Sequence, residues 1–228
     1  APPDAAARAR AEQIARILHA TFPGGAGRSE EPLFAFVEAL SSPLPPQPAR
    51  ATAPSPRFCY AYFALYGDPL LETEADPYPE GYLDRLAALG VNGVWLQGVL
   101  YALAPYPWEP ARSARYEERR ERLKALVARA GERGLGIYLY LNEPRAMPLT
   151  FFERRPELKG VVQGDHAALC VSVPEVREWL AASVADLCRA VPDLAGIFTI
   201  TASENFTNCW SHHRGAECPR CRTRSAGE

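Results

Sequence analysis

A chain of 228 residues with net charge −2 and 47% hydrophobic residues carries enough apolar material for one sizeable core. Near-neutral charge without a long basic run argues against nucleic acid or an anionic membrane as partner, and no apolar stretch approaches the ~20 residues of a membrane span. Six scattered cysteines are too few for a secreted disulfide scaffold, so the compartment stays open, with the cytoplasm as the default reading.

Residues 1–41 read as a helical appendage. Ala5 to Thr21 is rich in Ala, Arg, Glu and Leu, and Glu31 to Leu40 sets Leu33, Phe34, Phe36, Val37 and Leu40 on one side. Residues 42–56 hold six prolines among Ser and Ala and read as an extended linker. From Arg57 the rhythm becomes strand, helix, strand, helix. Strands are expected at 58–66, 91–96, 136–141 and 196–201, with helices at 79–89 and 115–133. A further helix runs from Pro174 to about Ala190, opened by Ser172-Val173-Pro174-Glu175, which has capping-box spacing with proline in the first turn.

That alternation predicts an α/β fold with parallel strands and right-handed crossovers. No G-x-G-x-x-G follows the first strand, which counts against a dinucleotide fold. Polar residues instead stand at each strand's carboxyl end: Tyr66 and Asp68, then Gln97, then Asn142, Glu143 and Arg145, then Ser203, Glu204 and Asn205. Repeated furnishing of one rim is the pattern of a (β/α) barrel. Residues 57–228 span only the first half of an eight-fold barrel, so the rest is expected from a longer chain or from a second copy.

Glu204 ends an apolar, β-branched run and is the foremost candidate for chemistry. Cleaving an acetal needs a proton donor at the leaving oxygen, and a carboxyl in a partly dry cleft supplies one. Glycosidases pair two carboxyls, ~5–5.5 Å apart for retention and ~6.5–9.5 Å for inversion, and Glu143 is the equivalent partner here. A salt-bridged or capping glutamate is the bland alternative for Glu204, and an ion pair with Arg145 for Glu143. Tyr62 and Trp210 are candidates to stack on sugar rings, while Gln97, Asn142, Arg145, Asn205 and His212 could bind hydroxyls or a carboxylate. Core filling is the competing reading for the strand aromatics.

Cys209, Cys218 and Cys221, with His212, His213 or Cys170 to complete the set, form a candidate structural zinc site, His213 being the fourth ligand chosen. A disulfide or reduced thiols is the alternative. Cys59 and Cys188 sit in apolar patterns and are expected to be inert core residues.

The run Leu169 to Glu178, the helix after it, Val191-Pro192-Asp193-Leu194-Ala195-Gly196, a strand, Ser203-Glu204-Asn205 and a Cys-rich loop resembles barrel glycoside hydrolases. It is similar to β-N-acetylhexosaminidases and α-glucuronidases and to uncharacterised bacterial relatives with a C…C-x-x-C loop after the fourth strand. The resemblance implies that Glu204 is the general acid. The hexosaminidase pattern has Asp-Glu where this chain has Ser203-Glu204, and α-glucuronidases draw their other carboxylates from later strands. Three functions follow: a glycosidase with Glu204 as proton donor, a non-catalytic carbohydrate-binding or scaffold barrel with a zinc loop, or a zinc or redox protein centred on the cysteines.

Overall fold

The computed structural model describes residues 56–60, 68–71, 76–200 and 205–227. The appendage, nearly all of the linker, most of the first expected strand with Tyr62 and Tyr66, and the pair Ser203-Glu204 lie outside the described residues. Four strands form one sheet in the order β1-β2-β3-β7: β1 Phe58–Tyr60, β2 Gly93–Gly98, β3 Gly136–Leu141 and β7 Gly196–Phe198. Pairing is parallel, with Cys59 opposite Val94 and Leu139 opposite Ile197. The helices are α1 Glu80–Ala88, α2 Leu100–Leu103, α3 Tyr116–Gly131 and α4 Pro174–Ala190. The fold is mixed α/β with a parallel four-stranded sheet, consistent with part of a barrel.

The chain divides into two compact units, Ala1–Trp95 with Leu126–Ile137, and Leu96–Ala125 with Tyr138–Glu228. In the first, Pro79 caps α1 with extended backbone, Glu80 lies in its first turn and Arg85 in its last, both favourable to the helix dipole. Leu83, Leu86, Val94, Leu126, Val127, Ala130, Leu135 and Ile137 are its buried apolar residues. Tyr78 is fully buried and donates its hydroxyl to the Trp95 carbonyl at 2.5 Å. Arg129 fastens the same segment through the Tyr78 carbonyl and Asp76. Trp95 is stacked on Tyr60, with ring centroids 3.5 Å apart.

In the second unit an aromatic cluster centres on Tyr106, whose ring meets Trp108 and Trp179 edge-on with centroids 5.2 Å away. α4 buries Val176, Trp179, Ser183 and Leu187, a stripe of helical period. Cys188 follows Leu187 by one residue, about 100° round the helix, and is exposed. The expectation of a core Cys188 is corrected by that rotation, and Cys59 is only half-buried. The capping box is corrected too. Val173, not Ser172, is the N-cap, and no side chain caps the helix. The Ser172 hydroxyl instead lies 3.3 Å from the Cys221 sulfur, and Glu175 accepts the Trp108 indole N–H at 2.7 Å.

Between β3 and α4 stands an antiparallel sheet in the order β4-β6-β5: β4 Met147–Pro148, β5 Lys159–Gln163 and β6 His166–Leu169. A two-residue turn, Gly164-Asp165, joins β5 to β6 with Gln163 opposite His166, and Gly164 takes φ 60°, a backbone state glycine enters without steric cost. The register shifts between Lys159 and Val162, a bulge at Gly160-Val161.

Candidate functional sites

Two groups of side chains carry chemical potential, and both lie in the second unit. The first is the carboxyl end of β3. Asn142 is 1% exposed, and its side-chain nitrogen has no hydrogen-bond partner among the described residues. Glu143 follows, with a side chain 8% exposed, and the Glu143–Pro144 peptide bond is cis. Its Oε1 accepts the Leu100 backbone N–H at 2.7 Å, at the start of α2, and lies 3.9 Å from Arg145 Nε. Among the described residues its Oε2 is buried without a hydrogen-bond partner, and Arg145 Nε and Nη2 are buried without one as well. Burial pushes the Glu143 carboxyl up to about 7, against the Leu100 amide and the Arg145 charge, which favour the ionised form. A buried carboxyl that keeps its proton near neutrality is able to donate it.

Gln97 is half-buried on β2, and Asn205 is half-buried and hydrogen-bonded or otherwise engaged. His212 Nδ1–H donates to Gln163 Oε1 at 2.7 Å, and the ring stacks on Phe206 with centroids 5.5 Å apart. Trp210 is half-buried, packs against the cysteine cluster, and lays its indole over Gly215, where any Cβ would collide with the ring. Tyr62 and Glu204 fall outside the described residues.

The second group is a set of thiols. Cys170, Cys209, Cys218 and Cys221 are each no more than 1% exposed, and their sulfurs all lie within 4.8 Å of one another. Cys170 Sγ is 3.7 Å from Cys218 Sγ and 3.6 Å from Cys221 Sγ. All are free thiols, and they are close enough to hold a metal ion. The fold builds the site from three places. Cys170 directly follows β6, and its backbone N–H binds the Leu158 carbonyl at 2.9 Å. Cys209 reaches the β5 bulge, where the Val161 N–H donates to its sulfur. Cys218 and Cys221 face the same point from one tight turn, closed by Cys221 N–H to the Cys218 carbonyl at 3.1 Å.

Electrostatics make Cys170 the natural first anion. The Cys209 thiol donates to it and, with help from Arg220, holds its pKa well below the usual thiol range despite burial. Cys209, which keeps that shared proton, is pushed up, and burial raises Cys221. His213, the fourth ligand chosen from sequence, is exposed, has φ 60° and stands outside this group; Cys170 takes the fourth place. Spacing alone could not reveal that, because Cys170 lies 48 residues before Cys218.

No protein-family model matches the chain. No curated protein matches it either. Among solved structures it is similar to a noncanonic maltogenic alpha-amylase from Thermotoga neapolitana, with 18% identity and a TM-score of 0.38. That alignment covers 55% of this chain and 34% of the amylase, so the chain spans about a third of its length. Among the described residues, no helix is long and apolar enough to cross a membrane.

Proposed function

We propose that the chain supplies the acid–base rim of a glycoside hydrolase barrel, with Glu204 as general acid, Glu143 as its partner carboxyl and a structural zinc ion in the cysteine-rich loop. The observation that carries this reading is the Glu143 carboxyl, at the end of a parallel strand, with Oε2 unpartnered among the described residues and its pKa pushed up to about 7, so that above that pH it is the ionised partner a Glu204 acid requires. Donors on Asn142 and Arg145 that lack a hydrogen-bond partner among the described residues suit a ligand rich in hydroxyls or bearing a carboxylate. On this reading the remaining barrel strands come from further βα units of a longer chain or from a second copy, since four parallel strands enclose no lumen.

A second reading, a sugar-binding barrel without catalysis, is favoured by the low exposure of Glu143 and its bond to the Leu100 amide, which suit a structural carboxyl. Hydrolysis of a panel of aryl glycosides separates the two. Catalysis requires that Glu204→Gln lower turnover by about 10²-fold or more while sugar affinity stays within a few-fold. A wild type that binds sugars and cleaves none of the panel supports the second reading and ends the first.

A further inference from the structure

We infer that Cys170 is the fourth ligand of an all-sulfur zinc centre, which ties the end of β6 to the loop after β7. This deepens the structural-metal part of the function proposed above and rests on it. A zinc–sulfur distance of about 2.3 Å in a tetrahedron places sulfurs about 3.8 Å apart. Cys170 lies 3.7 Å from Cys218 and 3.6 Å from Cys221, close to two edges of that tetrahedron, and all four sulfurs lie within 4.8 Å of one another. Disulfide bonding would need an approach to about 2.05 Å.

The histidines are engaged elsewhere or turned away. His212 is committed to Gln163 and Phe206, and His213 is exposed. The surroundings fit an ion rather than four bare thiols. Val161, Ala168, Val173, Phe206 and Trp210 wall the cluster with apolar surface. The bulge at Gly160-Val161 leaves room for the Cys209 sulfur, and the Ser172 hydroxyl lies 3.3 Å from Cys221 Sγ. A hydroxyl beside a ligand sulfur stabilises sulfur-bound charge. Loading is a ligand exchange without redox change: counted from four neutral thiols, one Zn²⁺ enters, four S–H bonds give way to four Zn–S bonds, and four protons leave to solvent, one fewer where a thiol is already ionised.

The test uses the full chain, purified without added metal and analysed by mass spectrometry, then refilled with Co²⁺ for absorption spectra. One zinc per chain, a cobalt spectrum of tetrahedral all-sulfur type, and spectra unchanged in His212→Ala and His213→Ala are expected. Cys170→Ser should weaken zinc binding on the order of a hundredfold or more. Should Cys170→Ser fail to fold, the wild-type cobalt spectrum still decides, because a mixed sulfur–nitrogen spectrum overturns the assignment. Loss of metal in either histidine variant, with Cys170→Ser still loaded, also overturns it while leaving a metal site standing. Iron in place of zinc overturns the choice of ion. A wild type that neither contains nor takes up metal removes the structural-metal reading itself.

Discussion

Gly160 makes room for Cys209: a Cβ at residue 160 would collide with the Cys209 sulfur, and the Ala168 carbonyl closes the other side at 3.0 Å. The neighbour that would have to yield is a buried thiol held by three others, not the end of a flexible side chain. Gly160→Ala should therefore break the cluster without altering any thiol. A cost of about 1–3 kcal/mol is expected from overpacking alone, together with faster reaction of the cysteines with a thiol reagent under native conditions. Gly164→Ala, at the hairpin tip, meets no atom but is strained at φ 60°, so it should cost stability through the backbone alone and leave thiol reactivity unchanged. Thiol reactivity equal to that of the wild type in Gly160→Ala would contradict the packing.

The Glu143 carboxyl makes stability depend on pH in a defined window. Unfolded, it ionises near 4.5; folded, burial keeps it neutral up to about 7. Between those values the unfolded state binds fewer protons, so stability falls as pH rises, and above the window both states are ionised and the contribution is flat. A span of that size corresponds to about 3 kcal/mol. Urea midpoints at pH 5 and pH 8 should show the wild type losing about 2–3 kcal/mol that Glu143→Gln does not lose. Parallel pH slopes in the two proteins would place the titration elsewhere.

How much of this could be read beforehand follows from the range over which each signal acts. α1, α3, α4 and β3 were legible because periodicity and flanking Gly or Pro are local. The antiparallel insert was missed although Gln163-Gly164-Asp165-His166 carries a two-residue hairpin signal. Its other strand, Met147–Pro148, is too short to show any period. Ser172 and Glu175 had the right spacing for a cap, but tertiary partners, the Cys221 sulfur and the Trp108 indole, claimed both side chains. Cys218 and Cys221 announced themselves by spacing, whereas Cys170 joins them only because β6 ends beside their turn. Asn142, Glu143 and Arg145 were found by strand-end position, yet their unpartnered atoms are a property of packing that no spacing encodes.

Tyr106 offers a stabilising change. Its side chain is the centre of the aromatic cluster, while its hydroxyl is buried without a hydrogen bond among the described residues, and burial pushes its ionisation far above the usual tyrosine range. An unpaired buried hydroxyl costs about 1–3 kcal/mol. Tyr106→Phe should thus be neutral or raise stability by up to about 1 kcal/mol, whereas Tyr106→Ala should cost about 3–5 kcal/mol through the lost ring. Chemical denaturation of the three proteins checks both, and a Phe variant destabilised by more than about 1 kcal/mol would reveal a working hydroxyl.

Arg120 holds two elements that apolar packing alone would leave loosely joined. Its side chain is 9% exposed; Nε donates to the Leu103 carbonyl at 2.6 Å and Nη2 to Asp186 at 2.7 Å, across to α4. The guanidinium also lies 4.9 Å from the centre of the Tyr116 ring. Asp186 is 43% exposed, so water can replace its partner, and Asp186→Asn should cost no more than about 1 kcal/mol. Arg120→Met is different, because it leaves the Leu103 carbonyl facing a hydrocarbon chain. About 2–3 kcal/mol is expected there, and Arg120→Lys should fall between, since one ammonium cannot reproduce the fork that serves both acceptors. A double-mutant cycle over the two positions should return a coupling of less than about 1 kcal/mol, with most of the Arg120 effect surviving in the Asp186→Asn background. Coupling as large as the whole Arg120→Met effect would mean that the ion pair, not the backbone carbonyl, is what the arginine serves.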